Sequence, residues 1–113
     1  MFKLVRSSET IDRQPEPGRL IKNYLTKEFS ESFSIAVGEL DDSVHSVPNT
    51  EPYDRVYYCF HGQAIFQIDD EILNVSEGDA IFLSKNTAYT YTASGKFKAV
   101  IINLPAFGSD PKK

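Results

Sequence analysis

Residues 56–83 decide the fold, and they read VYYCFHGQAIFQIDDEILNVSEGDAIFL. Short, mostly apolar runs rich in aromatic and β-branched residues alternate there with turns at His61-Gly62, Asp69-Asp70 and Glu77-Gly78. Such runs are typical of strands, and glycine and aspartate favour the tight turns that reverse the chain between them. We therefore predict antiparallel strands joined by hairpins at these turns.

The remaining sequence extends this pattern in both directions. Residues 20–25, 33–38, 89–92 and 97–104 have strand composition, and no stretch of ten residues has helical periodicity. Eight or more short strands at regular spacing predict an all-β fold, either a small antiparallel barrel or a sandwich of two sheets. Residues 39–52 are acidic and interrupted by prolines, so we expect an irregular loop there.

The chain is expected to form a single domain. Its 113 residues are 41% hydrophobic, which is enough for one packed core. The prolines and the glycine of residues 14–18 predict an extended arm followed by a turn. We therefore divide the chain into an amino-terminal arm (1–18), a barrel (19–107) and a carboxy-terminal tail (108–113).

Charge and composition narrow the classes of partner. The formal net charge of -4, with no basic run beyond Lys112-Lys113, argues against nucleic acid. Cys59 is the only cysteine and lies in an apolar run, so we expect a small buried side chain rather than a nucleophile. No apolar run approaches the length of a membrane span, and the first residues lack a signal-peptide core. These features predict a cytoplasmic protein without a membrane partner.

The spacing of the two glycine turns identifies a resemblance. From about Gly38 to Phe107 the chain resembles a single-domain cupin, a small antiparallel jelly-roll barrel. The second motif of that family, Gly-Asp followed by an apolar strand, a turn and a ligand histidine, matches Gly78-Asp79, residues 80–83, residues 84–86 and Tyr89. The first motif, a carboxylate seven residues before a glycine, falls on Arg55 and Gly62.

Two short strings are similar to one group of cupins in particular. Residues 53–58 and 104–107 resemble the Q-type cupins of ethanolamine-utilisation operons, which also lack the usual ligand histidines. The resemblance implies a barrel whose mouth opens to a small molecule.

The metal ligands that the resemblance implies are replaced in this sequence. Arg55 stands at the carboxylate position and Tyr89 at the histidine position, and the preceding histidine pair would fall near residues 48–51, where there is no histidine. A guanidinium has no lone pair to donate and repels a divalent cation. We therefore expect neither a metal ion nor another cofactor.

Four side chains are the candidate ligand-binding residues. Alternation along the strands places Arg55 and Tyr57 on one face, and Tyr89 and Tyr91 share a face that the family mapping turns inward. A guanidinium removed from water requires a partner. That partner is either a small anion, a carboxylate or phosphate group, or an internal acid such as Glu51 or Asp54.

Alternatives of other classes remain open. An isomerase or oxygenase could use His45 with Glu51 or Asp54 to hold a metal. The enzyme could instead be a metal-free isomerase, or could carry the phosphotransfer that the operon resemblance implies. In the simplest interpretation, however, His45 is a solvated loop residue and His61 a residue at a hairpin tip. A structural module without a ligand would instead have its interior filled by Tyr57, Phe66, Phe82 and Tyr89.

The apolar residues outnumber what one small barrel can cover. Residues 20–25 and the outward positions Val56, Tyr58 and Phe60 predict a homodimer, because a symmetric partner would cover them.

Overall fold

The computed structural model describes residues 1–47 and 51–109, which contain ten antiparallel strands. The strands are β1 (Ile11–Glu16), β2 (Arg19–Leu25), β3 (Ser34–Asp41), β4 (Val44–Val47), β5 (Asp54–His61), β6 (Gln63–Ile68), β7 (Glu71–Ser76), β8 (Ala80–Leu83), β9 (Tyr89–Ala93) and β10 (Lys96–Leu104). Across these ranges there is no helix long and apolar enough to cross a membrane.

The strands form two sheets that pack face to face. The six-stranded sheet has the order β1-β2-β3-β10-β5-β8, and the four-stranded sheet has the order β4-β9-β6-β7. Every pairing is antiparallel, and β10 lies between β3 and β5 although they are distant in sequence. This is the jelly-roll arrangement, so the predicted all-β fold class is confirmed.

The two glycine turns carry the chain from one sheet to the other, and the hairpins predicted at them are wrong. β5 and β6 belong to different sheets, as do β7 and β8, whereas the Asp69-Asp70 turn does close the β6–β7 hairpin. Gly62 has a φ of 76°, and a Cβ built there would lie 2.1 Å from the carbonyl oxygen of Lys96. Only glycine therefore allows β5 to bend against β10 at this crossing.

The second glycine turn is fastened to β5. The Gly78 amide donates to the Cys59 carbonyl at 2.9 Å, and the Cys59 amide donates to the Asp79 carbonyl at the same distance. The Asp79 carboxylate also accepts a hydrogen bond from the Ser76 amide at 2.9 Å. The Gly-Asp pair thus holds the start of β8 beside β5, and Cys59 is fully buried as expected.

The loop predicted for residues 39–52 is wrong over much of its length. β3 continues to Asp41, and β4 runs from Val44 to Val47 in register with β9. Backbone pairing with β9 outweighs the polar composition of this segment, because each pair supplies ladder hydrogen bonds whatever the side chain. His45 consequently lies on a strand, opposite Tyr91.

Part of the predicted amino-terminal arm joins a sheet. β1 pairs with β2 at the edge of the six-stranded sheet, through the turn at Pro17-Gly18 that the sequence predicted. Gly18 has a φ of 81°, and its carbonyl accepts a hydrogen bond from the Asp41 amide at 2.8 Å. The domain boundaries stay a prediction, and residues 110–113 of the predicted tail lie outside the described residues.

The core between the sheets is mostly aromatic. The rings of Phe66 and Tyr91 are stacked with centroids 4.8 Å apart, and Tyr57 and Phe97 pack edge-on around them. Phe82 takes no part in this core, because β8 turns its side chain outward and leaves it 60% exposed. The interior predicted for a ligand-free module is therefore wrong at that position.

Candidate functional site

A cavity of about 160 Å³ opens between the two sheets, beside β1, β2 and β4. Apolar residues of several strands line part of its wall. Its polar lining consists of Arg13, Arg19, Asn23, Ser34, His45, Glu51, Arg55, Tyr57 and Asn103. Three of these side chains are arginines and one is an acid, so the cavity is an electropositive site.

Arg55 is the centre of a buried hydrogen-bond network. Its Nε donates to Asn103 Oδ1 at 2.6 Å, and its Nη1 donates to the Tyr89 hydroxyl at 3.0 Å. The hydroxyls of Tyr89 and Tyr57 lie 2.7 Å apart and share a further hydrogen bond. Three of the four predicted site residues are thus joined in one chain of hydrogen bonds, from Arg55 through Tyr89 to Tyr57.

The internal acid that faces Arg55 is Glu51. Glu51 Oε1 lies 3.8 Å from Arg55 Nη2, whereas Asp54, the other predicted acid, accepts a hydrogen bond from the Lys85 amide at 2.9 Å. Burial disfavours the charge on Arg55, but Tyr57, Tyr89 and Glu51 outweigh it and raise the pKa above its ordinary value. Arg55 is therefore a permanent cation with three internal partners.

The three tyrosines occupy different depths. Tyr57 reaches the cavity wall, and Tyr89 lies behind Arg55 beside a smaller hollow. Tyr91 is stacked in the aromatic core and does not line the cavity, although its hydroxyl interacts with Arg19, which does. Burial raises the pKa of all three hydroxyls, which keeps them neutral hydrogen-bonding groups near pH 7.

Arg19 is a second buried arginine that the sequence analysis did not identify. The residue is 8% exposed, at the start of β2 directly after the Pro17-Gly18 turn. Its Nη1 lies 3.8 Å from Glu16 Oε1, but its buried Nε has no hydrogen-bond partner among residues 1–47 and 51–109. A buried N–H without a partner is costly, which marks this edge of the guanidinium as a place for a ligand.

Arg13 stands at the exposed rim of the same cavity. Its guanidinium carbon lies 5.0 Å from the centre of the Phe107 ring, a cation–π contact. The Phe107 amide donates to Ser34 Oγ at 3.0 Å and so holds the closing segment against β3. The pKa of Arg13 is lowered by burial and by the charges of Arg19 and Arg55.

His45 reaches the cavity, and its interpretation as a solvated loop residue is wrong. Its side chain is 14% exposed, and Nδ1 lies 2.6 Å from Glu16 Oε1. Burial, followed by the charge of Arg19, lowers the pKa of His45 below its ordinary value despite Glu16. The imidazole is therefore neutral near pH 7.

His61 is exposed at the end of β5, away from the cavity lining.

His45 and Glu51, two of the side chains proposed for a metal-dependent enzyme, line the same cavity, whereas Asp54 does not. Within the two described ranges, no three His, Cys, Asp or Glu side chains come together in a group that could hold a metal ion. Besides one imidazole and one carboxylate, the described part of the site offers guanidinium, phenol and amide groups, which suit anions better than cations.

The residues missed by the sequence analysis are Arg13, Arg19 and Asn103. Each lies on the inward face of a strand of the six-stranded sheet. The alternation of Arg19, Ile21 and Asn23 was the available signal, because it places two polar residues beside a buried one on a single face. Recognising it required knowledge of which face of β2 turns inward.

No protein-family model matches the sequence, and no curated protein sequence does. Solved structures do match. KdgF from Halomonas sp. is 18% identical, covers 91% of this chain and 94% of its own, and superposes with a TM-score of 0.79. A putative ethanolamine utilisation protein Q from Salmonella typhimurium is 15% identical. Its match covers 93% of this chain and 87% of its own, with a TM-score of 0.79. An RmlC-like cupin from Shewanella frigidimarina is 14% identical. Its match covers 96% of this chain and 95% of its own, with a TM-score of 0.78.

These likenesses extend over nearly the whole chain and define the class of the fold. The protein has the cupin jelly-roll fold, as the spacing of Gly62, Gly78 and Tyr89 predicted. The ethanolamine-utilisation protein has this fold too, in agreement with the resemblance of residues 53–58 and 104–107.

Proposed function

We propose that this protein is a metal-free cupin that binds a small anionic metabolite in the barrel mouth. The observation that carries the proposal is a cavity with three arginines in its wall, one of which has a buried Nε without a partner among the described residues. A fold of this kind hosts many functions, so the proposal rests on the side chains of the site and not on the neighbours.

The balance of charge around the cavity supports an anion. The guanidinium groups of Arg13, Arg19 and Arg55 face two carboxylates, those of Glu16 and Glu51. Since the lowered pKa of His45 keeps its ring neutral near pH 7, one positive charge remains uncompensated within this set. A bound anion would neutralise it in a partly dehydrated site, where charge pairing is stronger than in water.

Thermal unfolding with a panel of small carboxylates and phosphates tests the proposal. A ligand at about 100 times its Kd should stabilise the wild-type protein by about 2.7 kcal/mol. The shift should be lost in Arg55→Ala and reduced in Tyr89→Phe, and kept in Lys98→Ala on the outer face of β10. Unchanged shifts in the first two variants, or no shift with any anion, would contradict the proposal.

A metal-free enzyme is the second candidate, favoured by the His45–Glu16 pair. A neutral imidazole whose Nδ1 is held by a carboxylate has its other nitrogen available as a base. Carbon-bound hydrogen of a bound acid would then exchange with D₂O, which proton NMR measures. Exchange that is lost in His45→Gln but not in His61→Gln would support catalysis, and its absence in the wild type would leave only binding.

We further propose a homodimer formed by the outer face of the six-stranded sheet. Tyr58 and Phe82 are 45% and 60% exposed, and Val56 pairs with Phe82 across β5 and β8. Together they form an apolar surface that a second copy would cover. Sedimentation equilibrium should show a dimer that Phe82→Glu dissociates and that Lys3→Glu leaves intact.

The cytoplasmic location stays a prediction.

A further inference from the structure

The two buried arginines differ in how much of their hydrogen-bonding capacity the fold uses. Arg55 donates to Asn103 and Tyr89 and faces Glu51. Arg19 has one ion pair, with Glu16, and also interacts with the Tyr91 hydroxyl, where it opposes the rise in pKa that burial causes, but its Nε is buried without a partner in the described ranges. The guanidinium edge with unused donors therefore belongs to Arg19, whereas that of Arg55 is largely committed to holding β5, β9 and β10 together.

An apolar floor lies next to Arg19. Ile21, Ala36 and Ile101 line the cavity from the adjacent strands β2, β3 and β10. A volume of about 160 Å³, at roughly 10–15 Å³ for each water-sized site, holds a molecule of roughly 11–16 non-hydrogen atoms. The cavity is thus larger than an inorganic anion and has a hydrocarbon surface to cover.

We propose that Arg19 is the anchor for the carboxylate of a small organic acid whose apolar body packs on Ile21, Ala36 and Ile101, and that Glu16 competes with this carboxylate. The inference rests on the proposed function and names its ligand class. A carboxylate matches two parallel N–H groups along one edge of a guanidinium, so it satisfies the Nε of Arg19.

Glu16 occupies the position of a competitor. One of its oxygens, Oε1, lies 2.6 Å from His45 Nδ1 and 3.8 Å from Arg19 Nη1. Its side chain is 38% exposed and precedes the Pro17-Gly18 turn, so it can move into water when a second carboxylate repels it. A ligand carboxylate on the Nε edge of Arg19 would share one positive charge with Glu16, which faces Nη1. Removal of the Glu16 charge should therefore strengthen binding.

Calorimetric titration with hexanoate, benzoate and inorganic phosphate tests the inference. Hexanoate or benzoate should bind the wild-type protein more tightly than phosphate does. Arg19→Gln should weaken that binding by about 30-fold. Arg19→Lys should weaken it by about 10-fold, because lysine keeps the charge but cannot donate two parallel hydrogen bonds to one carboxylate. Glu16→Gln should tighten binding about threefold. The exposed Arg6→Gln and Glu71→Gln variants should match the wild type.

The outcomes separate this inference from the proposed function. If one of the acids binds and Arg55→Ala weakens its binding while the Arg19 variants do not, the anion site stands and the role of Arg19 is wrong. If phosphate binds while both organic acids fail, the ligand class is wrong. Absence of binding by all three anions overturns both proposals. Thermal unfolding establishes that each variant is folded, and Arg19→Lys decides the question if Arg19→Gln does not fold. Weaker binding in Glu16→Gln overturns the competition.

Discussion

Asn103 Oδ1 accepts a hydrogen bond of 2.6 Å from Arg55 Nε, and the two residues are direct partners across β10 and β5. Both side chains are buried, at 5% and 6% exposure. The amide oxygen therefore satisfies a charged donor that cannot reach bulk water. The position of Arg55 in the cavity wall depends on this contact.

Asn103→Leu is expected to destabilise the protein by about 2–4 kcal/mol, because it leaves the buried Arg55 Nε without an acceptor. Asn103→Asp keeps an acceptor and should cost less. Gln67→Leu, an exposed position on β6, is the control and should change stability by less than about 0.5 kcal/mol. Urea unfolding measures all three, and an equal cost for the leucine and aspartate variants would contradict the role of Asn103.

Tyr89→Phe should lower stability by about 1–2 kcal/mol, because one hydroxyl serves both Arg55 and Tyr57. The same change at Tyr58, which is 45% exposed on the outer face, should have little effect. Urea unfolding of the two variants makes the comparison. A neutral result at Tyr89 would show that the hydroxyl network adds nothing to stability.

Stability should decrease as the pH falls below the ordinary histidine value of about 6.5. The pKa of His45 is lowered in the folded state, mainly by burial and then by Arg19, with Glu16 opposing and Arg55 assisting. Between the two pKa values of His45, the unfolded chain therefore binds a proton more readily than the folded protein does. The contribution of the neutral imidazole to stability is complete above the pKa of the unfolded chain, and it is lost as the pH falls toward the pKa of the folded protein. Urea unfolding between pH 5 and 7.5, roughly spanning that window, should show this slope.

The variant His45→Gln should remove that part of the pH dependence, and His61→Gln should keep it. Tyr91, whose ring centre lies 5.2 Å from that of His45, stays neutral over the range because burial raises its pKa. If stability depends on pH equally steeply in the wild type and in His45→Gln, the pH dependence belongs to other titrating groups.

Gly62→Ala should cost more than Gly78→Ala, although both glycines have positive φ values, 76° and 90°. A Cβ at Gly62 would lie 2.1 Å from the Lys96 carbonyl oxygen, whereas one at Gly78 would meet no atom within 4 Å. The expected losses are about 3 kcal/mol or more at Gly62 and about 1–2 kcal/mol at Gly78. Equal losses by thermal or urea unfolding would show that φ alone matters.

The sequence predicted local structure better than it predicted the sheets. Period-two alternation placed Arg55, Tyr57 and Cys59 on one face, the family resemblance implied that this face points inward, and all three are buried. It could not show that the chain changes sheets at Gly62, because a crossing and a hairpin use the same turn residues. The strand at His45 was missed since its pairing with β9 is set by tertiary structure.

The site was predicted in part for the same reason. Motif spacing located Arg55 and Tyr89, which the structure joins at 3.0 Å. Asn103, which accepts a hydrogen bond from Arg55, lies on β10, and Arg19 lies on β2, and the positions of both strands depend on sheet order. Their side chains resemble any polar residue on a half-buried strand, so composition alone carries no signal for them.

The placement of β10 between β3 and β5 has a consequence for biogenesis. Ile101 pairs with Ala36 on one side and with Tyr57 on the other, across long separations in sequence. While the chain is being translated, β3 and β5 lack their shared neighbour until β10 has left the ribosome. The barrel is therefore expected to close after synthesis of its final strand, at the slow rates of folds dominated by distant pairings.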